Sequence, residues 1–258
     1  MRPVNIIVVT RNNFECISHF TQYVYERTDY PYELIIVDNY STDVNVVEYL
    51  KVVDERDDST VVRLPTNRFY FPAANLGIIN SKSDNTYTIL LNDDVEIESA
   101  NWIQYFVDIL ESDDRIAYTG DFREHPYCPP LGGWIDGWCM FFRTEVFERV
   151  GLFDDQYIWW YGAADYAVRT LKAGYTMANA KRPGDSNSHF KGILRHIGHQ
   201  TISKVKEDES LPIDQMFVRD FRFEQLLYRH GLYRYFVLAK LKRLSYPLRA
   251  YYRTIRPK

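Results

Sequence analysis

The sequence predicts an α/β fold in which a mostly parallel sheet carries helices on both faces. Short, β-branched apolar runs alternate over the first 95 residues with stretches whose apolar side chains recur at helical spacing, and this alternation is typical of parallel sheets. Three of the runs end in clusters of polar residues. Apolar residues make up 46% and charged residues 26% of the 258-residue chain, a balance that supports a substantial core and is unlike that of a disordered chain.

Strands and helices are predicted to alternate through the first half of the chain. The strands are predicted from short apolar runs that stop at polar residues, and the helices from apolar residues three or four positions apart. The predicted strands are 4–10, 33–37, 60–64 and 87–91, and the predicted helices are 17–27, 46–53 and 73–81. Because ligands of parallel sheets bind beyond the carboxyl ends of the strands, we expect a binding site where these strands end.

The second half of the chain is less regular. A loop is predicted for residues 126–133, which contain three prolines and two glycines. The apolar run 135–143 predicts a strand interrupted at Gly137. Residues 165–173 predict a helix that ends at Gly174, because glycine is typical of helix C-termini.

The distribution of charge predicts a boundary near the C-terminus. Residues 221–258 contain ten Lys and Arg and one acidic residue, a net charge of +9, which leaves −13 for residues 1–220. We therefore expect a domain of residues 1–215 followed by a basic helical extension of residues 216–258. Apolar side chains lie between the cations, so the extension can pack on the domain or dock on an anionic membrane. Nucleic-acid binding is not expected, because the rest of the chain is acidic.

The cysteine content and the lengths of the apolar runs indicate the cellular location. Cys16, Cys128 and Cys139 are too few for a disulfide framework and lack the spacing of a metal finger, so we expect a reducing compartment. The first apolar run, residues 4–9, is shorter than the core of a secretion signal. No run reaches the 18 apolar residues of a spanning helix. The expected location is the cytoplasm, with at most a peripheral contact with the cytoplasmic face of a membrane.

The strongest chemical signal is the acidic cluster Asn92, Asp93 and Asp94, which follows a buried strand. Adjacent carboxylates repel each other, so we expect a positive partner. Oxygen ligands suit Mg²⁺ or Mn²⁺, which complete their coordination with water and phosphate oxygens. A simple turn or helix cap is the alternative. The glycine-rich motifs of P-loop hydrolases and dinucleotide dehydrogenases are absent.

Seven motifs in order resemble the family 2 glycosyltransferases, which have the GT-A (Rossmann-like) fold. They span residues 4–205 and are Val8 through Asn12, Ile35 through Asp43, Asn67 through Gly77, Leu90 through Val95, Gly133 through Phe142, Val150 through Asp154 and Arg169 through Tyr175. Each motif is weak alone, but the ordered set is specific. The resemblance implies a nucleoside-diphosphate-sugar donor, a carbohydrate or glycoconjugate acceptor, and inversion at the anomeric carbon through one in-line displacement.

The resemblance also implies a set of donor-binding residues at the strand ends. Asp38 would meet the nucleobase and Arg11 would approach phosphate, since a carboxylate accepts from a base and a guanidinium donates to phosphate. Asp38 could instead cap the turn that follows it. The full set implied is Thr10, Arg11, Asn12, Asp38, Asn39, Ser41, Asn75, Asn92 and Asp93.

The same resemblance implies the metal ligands. Asn92 and Asp94 match the ends of the family's Asp-x-Asp or Asn-x-Asp motif, so Asp94 is the expected ligand of Mn²⁺ or Mg²⁺. His196 lies in a stretch that resembles a later histidine element and is the expected second ligand, with His199 as the alternate. The cation would act as a Lewis acid on the departing diphosphate. A histidine that is only packed or solvated is the alternative.

The expected catalytic base is where the sequence departs from the family. Members carry an acidic pair just before an Asp-x-x-x-Arg helix, whereas here Gly162 and Ala163 stand at the pair and Asp165 matches the later acid. A loop shift could make Asp165 the base, which is the favoured alternative, or Asp136 could serve. The acid could also be absent, naturally or by engineering, which would leave a nucleotide-sugar or glycan-binding protein with impaired catalysis. A sugar nucleotidyltransferase is a further rival, but it would need a basic glycine-rich loop after the first strand.

Two tryptophan-rich segments are candidates for sugar contacts. Trp134 and Trp138 flank Asp136, and Trp159 and Trp160 precede the expected base. Aromatic faces pack against the C–H faces of sugars, so the second segment is our hypothesis for an acceptor platform. A strand with a buried tryptophan is the alternative for the first.

Overall fold

The protein is described by a computed structural model that covers residues 3–125, 132–158, 161–198 and 223–244. Its strands are β1 (Val4–Thr10), β2 (Tyr32–Asp38), β3 (Ser59–Arg63), β4 (Tyr87–Asn92), β5 (Val95–Ile97), β6 (Ile116–Glu124), β7 (Gly133–Arg143), β8 (Thr176–Asn179), β9 (His189–Phe190) and β10 (Leu194–His196). Its helices are α1 (Phe14–Glu26), α2 (Val44–Asp54), α3 (Tyr70–Ile79), α4 (Trp102–Glu111), α5 (Val146–Val150), α6 (Gly162–Lys172), α7 (223–229) and α8 (Tyr233–Leu244).

The large sheet has the strand order β3-β2-β1-β4-β7-β6-β8. Strands β1 to β4 pair in parallel, and β6 pairs in parallel with β8, while β7 is antiparallel to both β4 and β6. The predicted mostly parallel α/β fold is therefore confirmed. The four strands predicted for the first half are all present, with small differences at their ends.

Alternating side chains of the central strands face two separate helical layers. On β1, Ile6 and Val8 pack towards the layer of α1, α2 and α4, whereas Ile7 packs towards that of α3, α5 and α6. Such strands are buried on both faces, which explains why their sequences are continuously apolar. A Cβ at Gly77 would lie 2.4 Å from Ile7 Cγ2, so α3 approaches β1 closely because residue 77 has no side chain.

Strand β7 contains the irregularity that the sequence predicts at Gly137. The partners of β6 on β7 shift from Met140, opposite Gly120, to Ile135, opposite Phe122. Residues 136–139 of β7 therefore lie opposite the single residue between them, Asp121. Bulges of this kind re-aim side chains and are common beside active sites.

A small antiparallel sheet, β5-β10-β9, lies beyond the carboxyl end of β4 and was not predicted. Its strands contain two or three residues each, too few to show a periodic pattern. His196 on β10 lies opposite Val95 on β5. The pairing thus carries His196 to the residues that follow β4.

The described part of the basic extension packs on the domain through α7. Leu226 and Leu227 are fully buried against Tyr157 and Ala164, so the packing alternative applies to this helix. The expected boundary between residues 215 and 216 lies outside the described residues. Among the helices of the described ranges, none is long and apolar enough to cross a membrane.

Candidate active site

The carboxyl ends of β1, β2 and β4 meet at one edge of the sheet. Thr10 at the end of β1 pairs with Asp38 at the end of β2, and β1 also pairs with β4, which ends at Asn92. Asp93 and Asp94 follow directly in a turn. The structure therefore brings these five residues together, as expected from strand order alone.

Thr10 holds the first of the two adjacent carboxylates. Its Oγ1 donates a hydrogen bond of 2.8 Å to Asp93 Oδ2, and both residues are buried. Arg11 follows in the same loop with a half-buried side chain. Asp93 is consequently tied to β1, while Asp94 is directed to the other side of the turn, towards β10.

Asn12 and Ser41 join the loops that follow β1 and β2. Asn12 N donates to Ser41 Oγ at 3.0 Å, and Asn12 Oδ1 accepts from the backbone N–H groups of Thr42 and Asp43 at 2.7 and 2.9 Å. Asn12 has a φ of 51°, a conformation in which asparagine is enriched among non-glycine residues. These two side chains therefore hold together the loops that follow β1 and β2 at the carboxyl edge of the sheet.

One carboxylate oxygen of Asp38 accepts a hydrogen bond within the following turn, and the other lies beside the guanidinium of Arg63. Its Oδ1 accepts from Ser41 N at 2.9 Å, which is the turn-capping alternative, and its Oδ2 lies 3.7 Å from Arg63 Nη1. Arg63 ends β3, is half exposed, and donates to Ser41 O at 3.2 Å. Sequence reasoning missed Arg63, because only the pairing of β2 with β3 brings it opposite Asp38.

Asn39 and Asn75 use their amide groups to brace neighbouring backbone. Asn39 Nδ2 donates to Phe69 O at 2.9 Å and its Oδ1 accepts from Arg68 N at 2.7 Å, which supports Phe69 at a φ of 63°. Asn75 Nδ2 donates to Phe153 O, and Asn75 Oδ1 accepts from Phe153 N. Asn39 directly follows β2 and Asn75 lies within α3, and the amide groups of both are engaged in bonds that hold the fold.

Asp94 and His196 face each other at the end of β4. Asp94 Oδ1 lies 2.9 Å from His196 Nε2, and Asn92 Nδ2 lies 3.2 Å from the same nitrogen. Asp94 is 4% exposed, and within the described part of the chain its Oδ1 has no hydrogen bond of acceptable geometry. The structure thus brings together the two predicted metal ligands, one from the turn after β4 and one from β10.

The donor set at Asp94 and His196 fits a divalent cation. His196 Nε2 lies 2.9 Å from the buried Asp94 Oδ1 but forms no well-aligned hydrogen bond with it, so a positive charge at this oxygen would be stabilising. Carboxylate oxygens are preferred ligands of Mn²⁺ and Mg²⁺. In the part of the chain that the structure describes, no three His, Cys, Asp or Glu side chains form a metal cluster. A cation here would therefore have two protein ligands and would complete its coordination with phosphate oxygens and water.

Asp136 lies in the bulged part of β7, beside Arg123. Its Oδ2 is 2.9 Å from Arg123 Nε, its Oδ1 accepts from Gly137 N at 2.8 Å, and its side chain is 40% exposed. Removal from bulk water raises the pKa of Asp136 above the ordinary value, even though Arg123 acts in the opposite direction. The Tyr70 hydroxyl donates to Gly137 O at 2.6 Å, and burial raises the pKa of this phenol strongly.

Asp165 lies in the first turn of α6, and its carboxylate is engaged on both sides. Its Oδ2 accepts from Arg169 Nε at 2.8 Å, its Oδ1 lies 2.8 Å from His230 Nε2, and the residue is 1% exposed. Burial alone would raise the pKa of Asp165, but the hydrogen bonds from His230 and Arg169 outweigh it and the pKa is lowered. The Asp165 side chain is thus buried as well as engaged at both oxygens, so an acceptor hydroxyl cannot reach it in this conformation.

The position of the family's acidic pair is closed by packing. A Cβ at Gly162 would lie 2.4 Å from Phe71 Cδ2, and Phe71 is itself a buried core residue. Ala163 is 4% exposed in the same core cluster. A longer acidic side chain at residue 162 does not fit beside Phe71 in this packing.

The two predicted aromatic segments differ in accessibility. Trp138 is 3% exposed and belongs to the core, which is the buried alternative. Trp134 is half-buried, with its ring centroid 4.8 Å from that of His125 and 5.8 Å from that of Tyr161. The predicted residues that lie outside the described ranges are Trp159, Trp160 and His199.

Sequence comparisons agree with this architecture. Residues 5–173 match the family described as Glycosyl transferase family 2. The chain is 22% identical over 239 residues to the uncharacterized glycosyltransferase YwdF of Bacillus subtilis, a match that covers 81% of this chain and 84% of that protein. It is 28% identical over 109 residues to the uncharacterized protein y4gI of Sinorhizobium fredii, but this match covers 42% of the chain and only 12% of that protein's length.

Solved structures show the same fold at low sequence identity. The mannosyltransferase PcManGT of Pyrobaculum calidifontis, in complex with GDP-Man and Mn²⁺, matches with a TM-score of 0.59 and 19% identity over 89% of this chain and 63% of that chain. GalNAc-T7 with UDP, GalNAc and Mn²⁺ matches with a TM-score of 0.56 and 16% identity over 69% and 42% of the two chains. Residues 1–349 of S. aureus TarS match with a TM-score of 0.51 and 14% identity over 66% and 55%.

Proposed function

Because the chain belongs to glycosyl transferase family 2 and has the GT-A fold, we propose that it transfers a sugar from a nucleoside-diphosphate-sugar donor to an acceptor hydroxyl. The observation that carries the proposal is the pair Asp94 and His196, whose facing atoms are 2.9 Å apart at the same sheet edge as Asp38. Two of the similar structures contain Mn²⁺ with a nucleotide sugar or its parts, which supports this donor class.

In the proposed donor site, Asp94 and His196 hold Mn²⁺ or Mg²⁺. The cation, when bound, neutralises the diphosphate as the glycosidic bond breaks. The nucleotide lies along the ends of β1 and β2, where Arg11 approaches phosphate and Arg63 with Asp38 meets the base. Asn12, Asn39, Ser41 and Asn75 act indirectly, through the backbone that they brace.

We assign the base to Asp136. Its carboxylate is partly accessible, and its raised pKa makes it a stronger base than an ordinary aspartate, which favours proton abstraction from an acceptor hydroxyl. In the proposed step the acceptor oxygen attacks the anomeric carbon, the nucleoside diphosphate leaves from the opposite side, and the acceptor proton passes to Asp136. The single displacement inverts the anomeric centre.

A second candidate function follows from the packing at Gly162. Since no acidic side chain fits there, a protein whose Asp136 does not act as a base would bind nucleotide sugars or glycans without turnover. The two functions differ in one product, because a binding protein releases no nucleoside diphosphate above the uncatalysed rate. A coupled assay for UDP or GDP release distinguishes them.

The acceptor is proposed to be a carbohydrate or glycoconjugate, with no role for nucleic acid. A peripheral contact with an anionic membrane is proposed for α8, where Tyr233, Val237 and Leu238 are each more than half exposed. Arg234 is exposed on the same helix, and cations beside exposed apolar residues favour anionic lipid surfaces. The proposed location is the cytoplasm or its membrane face.

The test of the donor site is a thermal-shift panel of nucleoside-diphosphate sugars with and without Mn²⁺. We expect one donor to raise Tm only when Mn²⁺ is present, and Asp94→Asn to abolish that rise. Asp57→Asn is the matched control, because Asp57 is exposed at the start of β3, at the opposite edge of the sheet. A donor that stabilises Asp94→Asn as well as the wild type contradicts the proposed metal site.

A further inference from the structure

We infer that Asp121 and Trp138 are positioning residues that hold the imidazole of His196 towards Asp94. The inference rests on the proposed function, because the property it affects is the affinity of the site for a divalent cation. It goes beyond that function because neither residue lies at the sheet edge where the donor is proposed to bind. Both are 3% exposed or less and act through the orientation of His196.

The first connection between Asp121 and His196 runs through side chains. Trp138 Nε1 donates a hydrogen bond of 2.8 Å to Asp121 Oδ2. The Trp138 ring is parallel to the His196 ring, with an angle of 1° between the planes and 5.1 Å between the centroids. The bond to Asp121 fixes the rotation of the indole, and the parallel indole in turn restricts the rotation of the imidazole.

The second connection runs through the backbone. Ser188 N donates to the same Asp121 Oδ2 at 3.1 Å, and Ser188 O accepts from His196 N at 2.8 Å. Ser188 has a φ of 68°, a conformation that is uncommon for serine and persists where the surroundings hold it. One carboxylate oxygen therefore fixes both the backbone and the ring of His196.

The charge of Asp121 is balanced inside the protein. Its Oδ1 lies 2.8 Å from Lys181 Nζ, and its Oδ2 lies 3.2 Å from Arg123 Nε. A fully buried carboxylate is tolerated only when cations or hydrogen-bond donors surround it. Asp121 is thus a buried carboxylate held by two cations, and Trp138 lies in the β7 bulge opposite it.

Fixing a histidine in this way matters for metal binding. His196 Nε2 faces Asp94 Oδ1 and Asn92 Nδ2 at 2.9 and 3.2 Å, and a rotation of the ring would remove this nitrogen from the cation. Groups that orient a metal-binding histidine change metal affinity by about 10- to 100-fold when they are removed. We expect an effect of this size from loss of the Trp138 hydrogen bond.

The experiment measures Mn²⁺ binding by electron paramagnetic resonance in the presence of UDP or GDP. Trp138→Phe keeps an aromatic ring but removes the donor to Asp121, and we expect it to weaken Mn²⁺ binding by about 10-fold or more. Trp102→Phe is the matched control, because Trp102 is equally buried and donates to Thr28 Oγ1 at 3.1 Å beneath α4, in a different part of the core. The control should bind Mn²⁺ as the wild type does.

A second pair of variants and a second measurement keep the inference testable if Trp138→Phe is poorly folded. Asp121→Asn retains an acceptor for Trp138 and Ser188, so it should bind Mn²⁺ more tightly than Asp121→Ala. The ¹⁵N resonances of His196 report its tautomer without any metal, and we expect them to shift in Asp121→Ala and not in Trp102→Phe.

The outcomes separate this inference from the proposed function. If His196→Ala loses Mn²⁺ while Trp138→Phe and Asp121→Ala bind it as the wild type does, the positioning role is wrong and the metal site stands. If the wild type binds no Mn²⁺ with either nucleotide, the metal site and its positioning both fail.

Discussion

The carboxylate of Asp165 and the imidazole of His230 lie 2.8 Å apart although 65 positions separate them in the chain. Asp165 lies in the first turn of α6, and His230 follows α7 in the C-terminal segment. Arg229 and Asp154 form a second ion pair at the same junction. The acid that matches the family's motif therefore fastens the C-terminal segment to the catalytic domain.

Asp165→Asn is expected to lower the free energy of unfolding by about 3 kcal/mol, because breaking a buried ion pair leaves its partners uncompensated. The pKa of Asp165 is lowered in the folded protein. Its stabilisation is therefore complete above the unfolded-state value of about 4 and is lost as the pH falls through the folded value. Urea unfolding at several pH values should show the difference from wild type shrinking below about pH 4. A difference of equal size from pH 3 to pH 7 argues against the ionised pair.

Asp136→Asn is expected to lower kcat by about 10²- to 10⁴-fold, the usual contribution of a general base. Donor affinity should stay within about twofold of wild type, since Asp136 is assigned to the acceptor proton. The pKa of Asp136 is raised, so kcat/KM of the wild type should fall as the pH drops through a value above the ordinary 4 of an aspartate. Steady-state assays of nucleoside diphosphate release measure both effects, and Asp57→Asn is the control. Wild-type turnover in Asp136→Asn removes the residue from this role.

Arg63→Met is expected to weaken binding of the preferred nucleoside diphosphate by about tenfold, in line with the loss of one charge-assisted hydrogen bond. Arg63 lies 3.7 Å from Asp38 and donates to the Ser41 backbone, so its loss should disturb the base pocket. Isothermal titration calorimetry measures the change. Arg115→Met is the control, because Arg115 is exposed and pairs locally with Asp113. Equal affinities for both variants mean that Arg63 has no part in the donor site.

Gly162→Ala is expected to destabilise the protein by about 1 to 3 kcal/mol, the usual effect of overpacking a core. The added Cβ would lie 2.4 Å from Phe71 Cδ2. Phe71→Leu should reduce the penalty when the two changes are combined, which a double-mutant cycle measures. Gly137→Ala is the comparison, because a Cβ there meets its nearest atoms at 3.5 Å. Unchanged stability in Gly162→Ala contradicts the close packing of residue 162 against Phe71.

Replacing Leu238 with Ser and Arg234 with Glu should reduce flotation with vesicles that contain anionic lipid. Both positions are exposed on α8, and the changes remove an apolar contact and reverse a charge. Val52→Glu is the control, because Val52 is an exposed apolar residue on α2. Deletion of the whole extension is unsuitable, since Leu226 and Leu227 belong to the core. Equal flotation of all variants contradicts the membrane contact.

Sequence reasoning was most successful where a property is local. The strands β1, β2 and β4 are buried on both faces, so their apolar runs identify them and the polar residues after each run identify the site edge. It was least successful for Arg63, Arg123 and Asp121. Each is a single charged residue with a partner on another strand or in another part of the same bulged hairpin, and no spacing rule points to such a residue.

The sequence alone determined the α/β class, the family resemblance and the polar cluster of residues 92–94. These features depend on apolar patterns and motifs that are contained in short stretches of the chain. Only the tertiary structure decided that His196 faces Asp94, that Asp165 is occupied by His230, and that Gly162 leaves no room for an acid. Those relationships depend on distances of a few ångströms between separate elements, and such distances arise only when strands pair and helices pack.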